Sequence, residues 1–275
     1  MKKHCGFAAL MAFGSVILAP TGGAELPALS EKPWLGYFAA FESRKFEFGM
    51  SAQGKGLIIP MGKSGERINQ LLHLPIQVIV EEVLPSGATT AKQLQIDTLE
   101  TKDKPSDDFE KLSFTGKTTG DASIEVHLEV ERGVVSIGGR MIDKGTLTRN
   151  PVRFALRVGV PSVYRYDKKD DKAFEKKVED DEVLITFLDG KRVKQSGFEE
   201  CDAKSKEVNG EGISSLKLLF GGYQGKELFF EASEGSRIEL WNRHAQPLYE
   251  GFSINWYPDP EKDPEVKSRL SFEVK

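Results

Sequence analysis

The sequence predicts an all-β protein, a large antiparallel β-sandwich with one or two short helices. Three observations predict it. Apolar and polar residues alternate over many short runs, the period of a half-buried strand. Gly, Pro and Asp turn signals separate those runs. Helical periodicity is scarce along the 275 residues.

The chain opens with Lys2 and Lys3, an apolar run from Gly6 to Ala19, then Pro20-Thr21-Gly22-Gly23-Ala24. That order is expected of a secretory signal peptide cleaved after Ala24, leading to a periplasmic or secreted product. The run is shorter than the ~20 residues a membrane-spanning helix needs. Cys5 precedes the run and leaves with it, so no lipid anchor is expected. No later stretch has the length and apolarity of a span, so no membrane span is expected in the mature chain.

Strands follow in sequence. Phe46, Phe48 and Met50 alternate with Glu47 and Gly49, and Leu57 to Ile59 follow a Gly54–Gly56 turn. Ile76, Val78 and Val80 alternate with Gln77, Ile79 and Glu81, up to the Leu84-Pro85-Ser86-Gly87 turn. Leu94 to Leu99, Leu112 to Phe114, and Ile124 to Val130 continue the pattern. Glu131-Arg132-Gly133 turns the chain into Val135 and Ile137. Val152 to Val160 is the next strand, closed by Pro161. Val183 to Leu188 ends at Asp189-Gly190, a hairpin dipeptide. Leu216 to Phe220, Leu228 to Phe230, Ile238 to Trp241, Phe252 to Trp256 and Leu270 to Val274 complete the set. Trp34 and Tyr37 are placed to pack a first strand. The helices expected are Gly65 to Leu72, with Ser64 as N-cap, and Lys172 to Val178.

The charged stretches 101–108, 167–182 and 258–265 read as solvated connections. The middle one divides an N-terminal β half, 25–166, from a C-terminal β half, 183–275, within what is otherwise one domain of 25–275. The segments Leu128–Gly133 and Phe230–Gly235 resemble each other, each followed by a strand and an arginine. The halves are therefore candidates for a duplication, as two stacked sandwiches.

Composition excludes several functions. The formal net charge is −4, and more negative without Lys2 and Lys3, so no nucleic-acid partner is expected. Cys201 is the one cysteine after the leader, so the core stands without an internal disulfide. Its acidic neighbours Glu199, Glu200 and Asp202 disfavour a thiolate, and burial is the expected role. His73, His127 and His244 lack metal-site spacing, and no metal is expected. Nucleophile elbows and phosphate-cradling glycine motifs are missing, so no cofactor is expected and no catalytic residue stands out. Arg153 and Arg157, four apart, share a strand face and are expected to pair with carboxylates.

Aromatic and polar residues gather on the last pair of long strands. Trp241, Asn242, Arg243 and His244 end one, and Asn255, Trp256 and Tyr257 end the next. Aromatic faces beside planar polar groups suit sugar rings, so these seven are the candidate ligand-binding residues. The competing expectation is that the tryptophans are core. Three functions follow: an exported binding protein for a glycan or an envelope partner, a carbohydrate-active enzyme (mutarotase, lyase or hydrolase), or a structural or assembly component.

Overall fold

The computed structural model describes residues 25–161, 170–242 and 251–275. Residues 1–24, where the signal peptide is expected, and Arg243 and His244 lie outside the described residues. The first strands are β1 (Tyr37–Glu42), β2 (Phe46–Ser51), β3 (Gly56–Pro60) and β4 (Leu74–Val83). Next come β5 (Thr89–Glu100), β6 (Lys111–Thr118), β7 (Ser123–Glu131), β8 (Val134–Asp143) and β9 (Val152–Pro161). After helix α1 (Asp171–Lys177) come β10 (Glu182–Phe187) and β11 (Arg192–Ser196). Helix α2 (Lys206–Asn209) precedes β12 (Ile213–Leu219), β13 (Glu227–Ala232) and β14 (Ser236–Asn242). The last strands are β15 (Gly251–Pro258) and β16 (Leu270–Val274). The architecture is all-β and antiparallel, as the alternation predicts, and no helix among the described residues is long and apolar enough to cross a membrane.

Turn chemistry explains the hairpins. β7 and β8 pair in register across Arg132 (φ 51°) and Gly133 (φ 81°), two consecutive left-handed residues that suit the right-handed twist of a hairpin. β10 and β11 turn through Gly190 at φ 86°. One expectation fails. Gly65 sits at φ 83°, outside helical space, and Gly62 N–H bonds the Glu66 carbonyl in a tight loop. Only a single 3₁₀ turn forms, at Gln70–Leu72, capped by Asn69 rather than Ser64. The second expected helix is present as α1, with Asp170 accepting from Ala173 N–H.

The hydrogen-bonded path closes on itself. From β4 it runs through β5, β6, β7, β8, β16, β13, β12, β14, β15 and β9, and β9 pairs β4 again. β1 to β3 extend from one side of β4, and β10 and β11 from β12. The result is an all-β, sandwich-like fold around one large apolar core drawn from Leu26 to Val274. Phe272 of β16 meets Phe46 at 5.5 Å and Phe48 at 5.7 Å across the layers, and Phe230 at 6.4 Å beside it.

The two stretches of the chain interleave within this core: β16 pairs β8, and β15 pairs β9. The two similar segments also differ in pairing. β7 and β8 form a hairpin, whereas β13 lies between β12 and β16.

Burying a large aromatic at the centre of such a core makes it costly to truncate. Phe272→Ala should lower unfolding free energy by about 3–5 kcal/mol. Leu35→Ala, at a side chain 59% exposed, should change it by less than about 0.5 kcal/mol. Urea denaturation of both variants checks the contrast.

Candidate functional site

The strand alternation that fills the core also fixes what the opposite face of β14, β15, β9 and β4 presents. Leu74, Ile76, Val78 and Val80 of β4 point inward, as do Phe154, Leu156 and Val158 of β9. Their neighbours Ile79, Glu81, Arg153, Ala155 and Arg157 therefore share the outer face. Register aligns these residues in rows. Glu81 lies opposite Arg153, and Ile79 opposite Ala155. Arg157 sits between Gln77 and Asn255, and Asn255 lies opposite Glu239. Tyr257 lies opposite Arg237, and Trp241 opposite Ser253.

Glu81 is the centre of this face and is fully buried. Arg153 donates to its Oε2 from Nε at 3.1 Å and from Nη2 at 2.8 Å. Arg157 Nη2 donates to Oε1 at 2.9 Å, and the Tyr257 hydroxyl to Oε2 at 3.0 Å. A buried carboxylate persists only when so compensated. Two guanidinium groups approach the Tyr257 ring, Arg153 at 3.7 Å and Arg237 at 5.3 Å from its centroid. Ile79, Ala155 and Tyr257 form a small apolar cluster under these charges.

Protonation follows from the same packing. Burial first, and then the Glu81 and Glu239 carboxylates, push the Tyr257 phenol well above its ordinary range. It remains a hydrogen-bond donor at physiological pH. Burial alone would weaken the Arg153 cation, but Tyr257, Glu81 and Glu239 outweigh it and its pKa rises.

Next to this clamp, two polar atoms are left without partners. Arg157 Nε donates to Asn255 Oδ1 at 2.8 Å. A guanidinium nitrogen can only donate, so that contact fixes the amide orientation and directs Nδ2 away from Arg157. Asn255 Nδ2 and Glu239 Oε2 are both buried and have no hydrogen-bond partner in the protein. Glu239 Oε1 faces Arg237 at 3.6 Å and Arg153 at 3.7 Å. Half-buried Trp241 flanks them, its ring 5.7 Å from the Arg157 guanidinium. Among the described residues of this face, three arginines stand against two carboxylates.

The sequence-predicted residues divide between the two faces. Asn255, Tyr257 and Trp241 lie on the outer face, Asn255 and Tyr257 buried beneath the arginines. Trp256 points the other way, into the core, edge-on to Phe154 at 6.4 Å. Asn242 is also buried on the inner side, where its Nδ2 bonds the carbonyls of Gly197 and Glu199. The grouping of all seven as one surface fails for these two because neighbouring residues of a strand face opposite ways. Arg243 and His244 fall outside the described residues. Cys201 is buried, its thiol donating to the Leu240 carbonyl at 3.4 Å. His127 lies near Glu125 at 3.6 Å on the outside of β7, its pKa lowered by burial against the opposing pull of Glu125. Among the described residues, no three His, Cys, Asp or Glu side chains converge as metal ligands would.

Glu81 and Glu239 were not singled out in the sequence. The available signal was Ile79, an apolar residue on the nominally polar face of its strand, which marks burial on both sides. Compared with known families, the chain matches no family model, and no curated protein matches it.

The clamp has two measurable consequences. Glu81→Gln leaves two cations without their counter-charge and should cost about 3 kcal/mol, the lower end for a broken buried pair because Arg153 is partly open to water. Urea denaturation gives the value. The second is alkaline. The folded state keeps the Tyr257 proton that the unfolded chain releases above pH ~10. This contribution is complete below that pH and falls, by about 1.4 kcal/mol per pH unit, as pH rises further. Tyr257→Phe should therefore flatten the alkaline limb of a stability-versus-pH curve.

Proposed function

We propose that this is an exported, non-catalytic binding protein, and that the outer face of β14, β15 and β9 takes a polyhydroxylated ligand, a carbohydrate. The observation that carries this reading is the adjacent unpaired donor and acceptor, Asn255 Nδ2 and Glu239 Oε2. Both atoms lie below the surface, so a ligand hydroxyl that accepts from the first and donates to the second reaches them only once what covers them moves aside. Half-buried Trp241 lies on the same face of β14 as Glu239, an aromatic residue of the kind that sugar sites use. The leader supports export, and cleavage after Ala24 would deliver the mature chain to the periplasm or beyond.

The rigidity of the face supports binding rather than turnover. Arg157 and Tyr257 are held by Glu81, and their orientation does not depend on a ligand. Side chains fixed in advance lose little entropy on association. An envelope protein bearing glycan would meet the same surface.

A glycan-array screen of the purified protein, with product analysis in parallel, tests this. Retention of at least one glycan without turnover is expected. Trp241→Ala and Glu239→Gln should each weaken that binding by about tenfold or more, at the loss of one ring stack or one charge-assisted hydrogen bond. Absence of any retained glycan would remove the carbohydrate reading, and released product would move the protein to the enzymes.

A further inference from the structure

A cavity lies at the N-terminal end of β9 and shares only Arg153 with the Glu239–Asn255 face. β16 pairs β8 only as far as Ile137, so Gly138 to Asp143 lose their neighbour on that side. β15 pairs β9 only as far as Leu156, which leaves Val152 to Ala155 without a neighbour there. The connection from Pro258 to Ser268 spans this end of the sandwich. Beneath it is a cavity of about 360 Å³. Met141, Val152, Phe154, Pro258, Pro264 and Val266 supply its apolar wall, and Arg140 and Arg153 border it.

The wall is stiff. Three prolines, at 258, 260 and 264, fix φ over much of the span. Asp263 accepts from Lys267 N–H at 2.8 Å and Ser268 N–H at 2.6 Å, and Asp259 N–H bonds the Gly235 carbonyl. Arg269 Nη1 bonds the Val266 carbonyl at 2.7 Å. Val266 itself sits at φ 58°, a region that a β-branched residue adopts only when its surroundings impose it. Gly139 lies so close that an added Cβ would be 2.4 Å from the Glu125 carbonyl and 2.6 Å from Phe154. Here the absence of a side chain is what lets β8 approach β7 and the core.

The charge at the border is directional. Arg140 bonds Glu125 through Nε alone, at 3.0 Å, and its two Nη groups make no hydrogen bond among the described residues. Its side chain is half exposed. Arg153 gives Nε and Nη2 to Glu81, and its Nη1 faces Glu239 Oε1 at 3.7 Å, so the uncommitted donors at the border are those of Arg140. Asp263 is the one acid in the lining, and both its oxygens are taken by backbone N–H groups. We propose that this cavity binds a small organic anion, an apolar ring or short branched chain bearing one carboxylate, with the apolar body against Met141, Val152 and Phe154 and the carboxylate on Arg140. The volume is at the small end for ligand pockets, which fits one ring with a short tail. Planar guanidinium donors match a carboxylate in geometry as well as charge.

The probes are 4-phenylbutyrate and its neutral amide, titrated into the ¹⁵N-labelled protein and followed by amide shifts. The acid is expected to give saturable shifts at Gly139, Arg140, Met141 and Val266, with the amide weaker by about tenfold or more, the worth of one charged hydrogen-bonding partner. Arg140→Gln, at a half-exposed position that leaves the fold intact, should weaken the acid by a similar factor and leave the amide unchanged. No saturable shift at these positions would overturn the proposal, as would equal affinity for acid and amide, or an acid affinity indifferent to Arg140→Gln. Because Arg140 lies outside the Glu239–Asn255 face, failure here is distinguishable from failure of glycan binding.

Discussion

A carboxylate with no access to water sits in the outer layer of this sandwich, and much else follows from keeping it charged. Among the described residues, Glu81 on β4 is satisfied by groups from two other strands, Arg153 and Arg157 on β9 and Tyr257 on β15. Taking a charge out of water costs several kcal/mol unless its partners are fixed. The constraint therefore acts on register. A one-residue slip of β9 would turn Arg153 and Arg157 toward the core and Phe154 and Leu156 toward Glu81. Polar and apolar terms then penalise the same error, and three sequence-distant strands are locked into one alignment.

The clamp also organises what the face can bind. Because Arg157 is held by Glu81, its Nε reaches Asn255 Oδ1, and the amide nitrogen is left pointing away. Because Arg153 and Arg237 approach Tyr257 and face Glu239, one Glu239 oxygen is occupied by charge and the other is buried without a partner. The unpaired donor and acceptor are thus by-products of a satisfied network. Arg153 also borders the cavity under the 258–268 connection, so the two candidate sites share this one residue. Each is rigid for its own reason: charge compensation on the sheet face, prolines and the Asp263 anchor at the sandwich end.

Much of the fold is legible in the sequence, because strands and hairpins are local. Phe46, Phe48 and Met50 announce β2, and Arg132-Gly133 and Asp189-Gly190 mark two hairpins by their need for positive φ. The expected pairing of Arg153 and Arg157 with carboxylates is met by Glu81. What stayed hidden is non-local. Nothing near Glu81 in the chain indicates that β9, about seventy residues later, will lie beside it. The cluster of aromatics after Trp241 reads as one surface in sequence, yet Trp256 and Tyr257 face opposite sides because they are neighbours in a strand. The stretch 258–265 reads as a solvated connection from its charges, and its prolines carry the information that it forms a wall. The helix expected over 65–72 fails at a glycine whose φ is decided by a tight turn.

The central claim is that Glu81 ties β4, β9 and β15 into the least yielding part of the molecule. Native-state hydrogen exchange measures this directly. The amides of Ile79 to Glu81, Arg153 to Arg157 and Asn255 to Tyr257 that bond across these strands should exchange only through global unfolding, with protection equal to the full stability of the protein. Exchange of these amides through local opening, at a free energy several kcal/mol below global unfolding, would contradict the account.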